Sequence, residues 1–271
     1  MYKLIACDLD DTLLGCDKAV SLQNLKAVRA AMQKGVKFVP ATGRGYITFQ
    51  NTLSELGLNN LENEYSISFN GAIITENKGN RHLYSEGVSY ETVKKLFDFG
   101  MGHDVCIHVY TARSVYIYRN NNGEREYLKG RIVEYIEPDE PDITFLENAK
   151  LIKVMYQSTD TAYLESIKKK IDAELDLPLS ISLSANRYLE FNASGVDKGS
   201  AAIRLGDMLG ISREEIVGIG DNLNDLALIS KVGLGVSVQN GKLELKEKAD
   251  YVTKATNDQS AVAEVIHEFI I

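Results

Sequence analysis

Asp8-Leu9-Asp10-Asp11-Thr12 places three carboxylates within four positions, directly after the short apolar run Leu4-Ile5-Ala6-Cys7. Carboxylates that close repel one another unless a cation or a proton is shared. In an extended segment Asp8 and Asp10 point the same way, about 7 Å apart by the strand rise, and could flank one metal ion or one reacting group. A second acidic loop repeats the pattern, with Ile216-Val217-Gly218-Ile219-Gly220 running into Asp221-Asn222-Leu223-Asn224-Asp225. Hard oxygen ligands delivered by two strand ends suit Mg²⁺. Neither loop fits an EF-hand calcium site. Counted from Asp8, the places that need Gly and Glu hold Leu13 and Ala19, and counted from Asp221 they hold Leu226 and Val232.

Between these acids lie two groups suited to an anion. Thr42-Gly43-Arg44 follows the apolar run Phe38-Val39 and opens a helical pattern, so the Thr hydroxyl and free backbone N–H groups converge where phosphate binds well. Lys198 follows Asp197, which reads as a helix N-cap, and so falls in a first helical turn where the macrodipole disfavours a cation. A lysine set against its dipole points to function. The four histidines are scattered without ligand spacing, and the tyrosines of the middle of the chain read as sheet packing.

The elements that must position these residues follow from periodicity and punctuation. Residues 3–7 read as a buried parallel strand, Ser21 caps a helix that Gly35 closes, and residues 36–39 form a second strand. A helix over 46–56 and a third strand over 65–69 complete the strand-helix alternation of a doubly wound α/β domain. The middle of the chain turns rich in tyrosine and alternating strands. It reads as a separate α+β unit with helices at 90–99, 124–135 and 161–175 and strands at 105–110, 115–118, 151–156 and 179–183. Residues 188–191 then lead back to α/β punctuation: a helix over 198–209, a strand at 216–219, a helix to about 229 and a strand at 232–236. The middle is therefore an insertion, 85–186, into a core made of 1–84 and 187–271.

Composition is that of an ordinary globular protein: 271 residues, 44% hydrophobic and 25% charged. Thirty Lys and Arg against thirty-eight Asp and Glu leave a net charge of −8, which repels phosphate backbones and anionic lipid surfaces. Nucleic acid and membrane are therefore not expected partners. Three sparse cysteines make no disulfide framework, and neither a signal peptide nor a membrane span is apparent, so a soluble, cytoplasmic protein is expected.

Taken in order, Asp8-Leu9-Asp10-Asp11-Thr12, Thr42-Gly43-Arg44, Lys198-Gly199 and Gly220-Asp221-Asn222-Leu223-Asn224-Asp225 resemble the four motifs of the haloacid dehalogenase superfamily. The insertion between the second and third motifs resembles the α/β cap of the Cof-like phosphatases, and Asn70-Gly71-Ala72 and Ala249-Asp250-Tyr251-Val252-Thr253 also look like that family. The resemblance implies a Rossmann-like parallel-sheet core with a cap domain. It also implies Mg²⁺-dependent hydrolysis of small phosphorylated metabolites, sugar phosphates or similar phosphomonoesters, through an aspartyl-phosphate. Asp8 is then the nucleophile, Asp10 the acid and base, and Lys198 a third catalytic group. Leu9, Thr42, Gly43, Lys198 and Asn224 hold the phosphoryl oxygens, and Asp8, Asp221 and the main-chain carbonyl of Asp10 hold the metal. Asp225 orients Lys198, and Arg44 supports its loop. The chain departs from the family at Asp11 and Ser260, which stand where Gly is usual, at Asp197, where a small polar residue often precedes the lysine, and over Gly235 to Asn240. None of these removes a catalytic group. Two other readings stay open: a phosphomutase of the same superfamily, and a receiver-type signalling protein that forms an aspartyl-phosphate without turnover.

Overall fold

The computed structural model describes residues 1–129 and 134–271 and divides them into two units, Met1–Ser85 with Asp197–Ile271, and Glu86–Val196. The first unit opens with β1 (Leu4–Cys7), α1 (Leu22–Gln33), β2 (Lys37–Pro40), α2 (Gln50–Leu56), β3 (Tyr65–Ser68), β4 (Ile73–Glu76) and β5 (Arg81–Ser85). The second unit contains α3 (Tyr90–Met101), β6 (Cys106–Thr111), β7 (Val115–Tyr118), α4 (Asn122–Leu128), β8 (Leu151–Gln157), α5 (Thr161–Glu174), β9 (Leu179–Ser184) and β10 (Tyr188–Ala193). The chain returns to the first unit with α6 (Lys198–Leu209), β11 (Ile216–Gly220), α7 (Leu226–Lys231), β12 (Leu234–Ser237), α8 (Leu243–Lys246), β13 (Tyr251–Val252) and α9 (Ala261–Phe269).

In the first unit β13, β12, β11, β1 and β2 lie side by side in that order, all parallel. Continuous apolar runs such as Leu4-Ile5-Ala6-Cys7 are the pattern of a parallel sheet covered on both faces, and each of these side chains is fully buried. The register aligns Cys7 with Pro40 on one side and with Ile219 on the other. Asp8, Thr42 and Asp221 therefore emerge at the same carboxyl edge, where open α/β sheets bind ligands. β3 joins that edge through a parallel bridge from Ala41 to Ile67 and the bond from Thr42 N–H to the Ile67 carbonyl. Its main pairing is the antiparallel hairpin with β4 and β5, which sequence periodicity did not anticipate.

The expected caps are present. Ser21 Oγ accepts from Asn24 N–H at 3.1 Å, Asp197 Oδ1 accepts from Ser200 N–H at 2.8 Å, and Gly35 takes the left-handed conformation at φ 82°. The helix expected over 46–56 is broken, with a 3-10 turn at Tyr46–Phe49 preceding α2.

The second unit is an antiparallel sheet in the order β7, β6, β8, β10, β9. Val93, Leu96 and Phe97 of α3 and Leu164, Ile167 and Ile171 of α5 bury against Ile107, Val109, Val154, Tyr156, Leu189 and Phe191. The expected boundary at residue 187 is ten residues early. Tyr188-Leu189-Glu190-Phe191 pairs antiparallel with both β8 and β9, so it completes this sheet and the core resumes at Asp197. The helix expected over 124–135 ends at Leu128; residues 130–133 lie outside the described residues, and 134–135 are not helical.

The first acidic motif lies on a local turn of the core. Residues Leu9–Leu13 form a single π-type turn, closed by Leu14 N–H on the Leu9 carbonyl. Three asparagine carboxamides hold the carbonyls of this segment. Asn240 Nδ2 donates to Asp11 O at 2.7 Å, Asn24 Nδ2 to Leu13 O at 3.2 Å and Asn257 Nδ2 to Leu14 O at 2.9 Å. Asn24 Oδ1 in turn accepts from Ala263 N–H of α9, and Asn240 Oδ1 from Asn257 N–H. Asn24 is fully buried, so removing its carboxamide takes a donor from the Leu13 carbonyl and leaves Ala263 N–H with only its bond to the Ser260 carbonyl. Asn24→Ala is expected to lower the unfolding free energy by about 1–3 kcal/mol in urea titrations. An unchanged midpoint would show that this clamp is dispensable.

Candidate active site

Lys198 is the first residue of α6 and has no exposed surface. Its Nζ donates to Asp8 Oδ1 at 2.5 Å and to Asp225 Oδ1 at 2.6 Å. The second oxygen of Asp225 accepts from the N–H groups of Asp221 and Asn222, both at 3.2 Å. Close approach requires glycine here. A Cβ on Gly220 would lie 2.4 Å from the Asp225 side chain, and one on Gly199 would lie 2.2 Å from the Ala227 carbonyl oxygen. Thr12 Oγ1 closes the group by donating to Asp221 Oδ1 at 3.0 Å.

Carboxylate oxygens of Asp8, Asp221 and Asp225 lie within 4.8 Å of one another. Both oxygens of Asp225 are taken up by Lys198 and backbone N–H groups. Asp8 Oδ2 and Asp221 Oδ2 accept no hydrogen bond among the described residues, and two free hard oxygens on buried carboxylates fit a small divalent cation. The Asp10 carboxylate is not part of this cluster. The expectation that Asp8 and Asp10 extend along one strand fails because the chain enters the turn closed by Leu14 N–H on the Leu9 carbonyl, with Asp11 at the left-handed φ of 58°. The Asp10 side chain pairs instead with Arg44, whose Nε donates at 2.7 Å and whose Nη2 also donates, and Lys18 Nζ stands 3.5 Å away.

The Thr42 turn adjoins these groups. Thr42 is buried and its Oγ1 accepts from Arg44 N–H at 3.1 Å, leaving the hydroxyl hydrogen to be donated elsewhere. Asn70 connects this turn to the Asn224 turn. Its Oδ1 accepts from Asn224 Nδ2 at 3.2 Å, and a Cβ on Gly43 would lie 3.1 Å from the same atom. The link role of Asn70 was missed from sequence, where the only signal was an Asn-Gly pair after a strand. At Gly71, φ is 103° and a Cβ would come within 2.4 Å of the Asp197 carbonyl oxygen, so this loop sits directly against the start of α6. Asp11 and Ser260, two positions where glycine is usual, both have positive φ, 58° and 67°. Glycine adopts that conformation without strain, while Asp tolerates it and Ser260 is tied by its hydroxyl to Ser21 at 2.8 Å.

Residues 5–266 match the haloacid dehalogenase-like hydrolase family. The chain belongs to that family. Among its relatives, 5-amino-6-(5-phospho-D-ribitylamino)uracil phosphatase YcsE of Bacillus subtilis is 29% identical over 99% of this chain and 96% of its own. Phosphatase YwpJ of the same organism is 28% identical, covering 99% of this chain and 100% of its own. A haloacid dehalogenase-like hydrolase of Bacteroides thetaiotaomicron, 26% identical, superposes with a TM-score of 0.86 over 99% of each chain. The protein is thus an enzyme, a hydrolase whose full-length relatives are phosphatases.

The site of this hydrolase is electrostatically loaded. Burial raises the Asp8 carboxyl well above its ordinary range; Lys198 opposes the rise, and the Asp225 and Asp221 charges add to it. Asp221 is pushed up to about 7 by burial and the Asp225 charge, against the Thr12 hydrogen bond. Burial alone would discharge Lys198, but Asp225 and Asp8 outweigh it and hold the ammonium above its ordinary value. At Asp10 burial is outweighed in the other direction, by the hydrogen bonds and charge of Arg44, so that carboxyl lies below its usual range. An acid raised from 3.8 to about 7 on folding binds its proton in the native state while the unfolded chain has lost it. Stability therefore falls as pH rises between those values. In metal-free protein, Asp221→Asn is expected to gain stability relative to wild type between pH 5 and pH 8, read by urea unfolding in chelator. A relative loss over that window would show that the Asp221 carboxylate is well solvated or paired.

Proposed function

We propose that this hydrolase is a Mg²⁺-dependent phosphomonoester phosphatase working through an aspartyl-phosphate on Asp8. The observation that carries the reading is the state of Asp8 itself: one oxygen is fixed by the buried Lys198 ammonium and the other is open beside Asp221. A carboxylate so held is aimed rather than mobile, as in-line attack on phosphorus demands.

The Asp8 oxygen forms a bond to phosphorus as the ester P–O bond breaks, and the leaving alkoxide takes a proton from Asp10. Asp10, now a carboxylate, accepts a proton from water, the hydroxide attacks phosphorus, and the Asp8–phosphorus bond breaks to release phosphate. Lys198, the Thr42 hydroxyl, Asn224 and the N–H groups of Leu9 and Gly43 take the phosphoryl oxygens and spread the charge of the transition state. Asp8, Asp221 and the Asp10 carbonyl would hold the Mg²⁺, which supplies the positive charge that lets an anionic ester approach clustered carboxylates. Asp225 keeps Lys198 in place.

The substrate class we assign is small phosphorylated metabolites of the sugar- or polyol-phosphate kind. The full-length match to a ribitylamino-uracil phosphatase supports it, and membership of a hydrolase family favours turnover over a signalling role. Selectivity is assigned to Glu86–Val196, which contributes none of these residues. The protein works on free metabolites in the cytoplasm, a reading supported by the free thiols of Cys7, Cys16 and Cys106.

Asp8→Asn is expected to reduce phosphate release by about a thousandfold or more, since the nucleophile is gone. Asp10→Asn differs in kind: an activated aryl phosphate still loads Asp8, giving a burst of phenol followed by a slow phase. Near-normal turnover of Asp8→Asn beside a dead Asp10→Asn would reverse the two roles. Excess chelator is expected to abolish phosphate release and added Mg²⁺ to restore it; undiminished activity in chelator would overturn the metal assignment.

A further inference from the structure

We propose that the Arg44 side chain is the positioning residue of the Asp10 acid and base, with Lys18 as a weaker second hold. The proposal rests on the assignment of Asp10 above. Nε and Nη2 of Arg44 address different oxygens of the same carboxylate, a planar fork that fixes both the direction and the rotation of the group. The two side chains are partly exposed, 29% for Arg44 and 38% for Asp10, so their attraction alone is screened and the value of the pair is geometric. Lys18 Nζ lies 3.5 Å from Asp10 Oδ1 and 3.3 Å from Asp11 Oδ1, so it is shared and makes no fork.

Two other uses of Arg44 fit the structure less well. Support of the loop is already supplied by the Arg44 backbone: its N–H donates to Thr42 Oγ1 at 3.1 Å, and its carbonyl accepts from Phe69 N–H at 3.0 Å. Both bonds survive replacement of the side chain. A direct grip on phosphate would use the edge of the guanidinium left over, because its Nε and Nη2 edge faces Asp10. Asp10 has no comparable hold from elsewhere among the described residues. It sits in a π-type turn next to the left-handed Asp11, and its side chain lies outside the Asp8, Asp221 and Asp225 cluster. Against the effect of burial, Arg44 also holds the Asp10 carboxyl below its usual range, which disfavours the acid form, so what the fork supplies to proton transfer is alignment with the leaving oxygen; its loss weakens that transfer and leaves attack by Asp8 intact.

The test is kcat/KM with Mg²⁺ for a series of phosphate esters running from nitrophenyl through phenyl to simple alkyl leaving groups. Wild type, Arg44→Ala, Arg44→Lys, Asp10→Asn and the Arg44→Ala, Asp10→Asn double variant are compared. A nitrophenolate leaves without help, whereas an alkoxide needs the proton. Arg44→Ala is expected to lose only a few-fold on the nitrophenyl ester and about tenfold to a hundredfold on the alkyl ester, with Arg44→Lys showing the same trend. In the double variant the Arg44 change is expected to add little to Asp10→Asn, because both act through one group. Melting curves confirm folding, and if Arg44→Ala does not fold, Arg44→Lys is read in its place. A loss by Arg44→Ala that is equal across all leaving groups, or that adds in full to Asp10→Asn, would overturn the proposal in favour of a substrate or structural contact. A leaving-group-independent loss in Asp10→Asn alone would instead overturn the acid and base assignment on which it rests.

Discussion

A single ammonium group, without exposed surface and set between two carboxylates, determines most of what surrounds it. Lys198 occupies a helical position where the dipole opposes its charge, so Asp8 and Asp225 must stand within hydrogen-bond reach for the fold to tolerate it. That demand reaches outward. α6 must start at the carboxyl edge of the sheet, and Gly71, Gly199 and Gly220 must lack side chains where backbones and Asp225 crowd in. The parallel register must bring β1 and β11 level so that Asp8 and the Asp221 loop share one edge. A buried ion pair of this kind is a poor source of stability in itself, since desolvation offsets much of the attraction. Its value lies in orientation. With Asp221 added, carboxylates outnumber the ammonium, and the cluster is left short of positive charge.

The first acidic motif is held by opposite means. The carbonyls of its turn are fixed by the neutral carboxamides of Asn24, Asn240 and Asn257, none of which changes charge with pH. The clamps on the backbone of this turn are therefore uncharged, while the side chains it presents pair with charged groups. Asp11 and Ser260 belong to the same economy of backbone: each accepts a left-handed conformation that glycine takes more easily, and local hydrogen bonds or a nearby lysine hold it there.

Much of the site was legible because residue type and strand-end placement coincide. Apolar runs ending in Asp8 and Asp221 read as buried strands delivering carboxylates, and the anomaly of a lysine at a helix start singled out Lys198 without any structure. Contacts between segments distant in sequence were not legible. Asn240 and Asn257 reach carbonyls at the other end of the chain and Asn24 ties the Leu13 carbonyl to the distant Ala263 N–H, and nothing in local pattern marks an asparagine as a clamp. The π-type turn after Asp8 overrode the extended geometry assumed for Asp8 and Asp10, which is why the pairing of Arg44 with Asp10 was not legible. The boundary near residue 196 was misplaced because Tyr188-Leu189-Glu190-Phe191 alternates equally well for either sheet, and only its pairing with β8 and β9 decides the matter.

The division of the first unit into two chain segments also bears on how the protein is made. The central pairing of its sheet aligns Leu4 with Ile216, so β1 leaves the ribosome long before its partner exists. The second unit, by contrast, is complete once Val196 has been synthesised. Domains fold largely as they emerge, and pairings between distant segments form slowly. The inserted unit is thus the one positioned to fold first, while β1 has β2 to pair with on one edge but waits for β11 on the other. Asp8, Lys198 and the second acidic loop come together only in the final stretch of translation, so truncated chains released before that point lack the complete cluster.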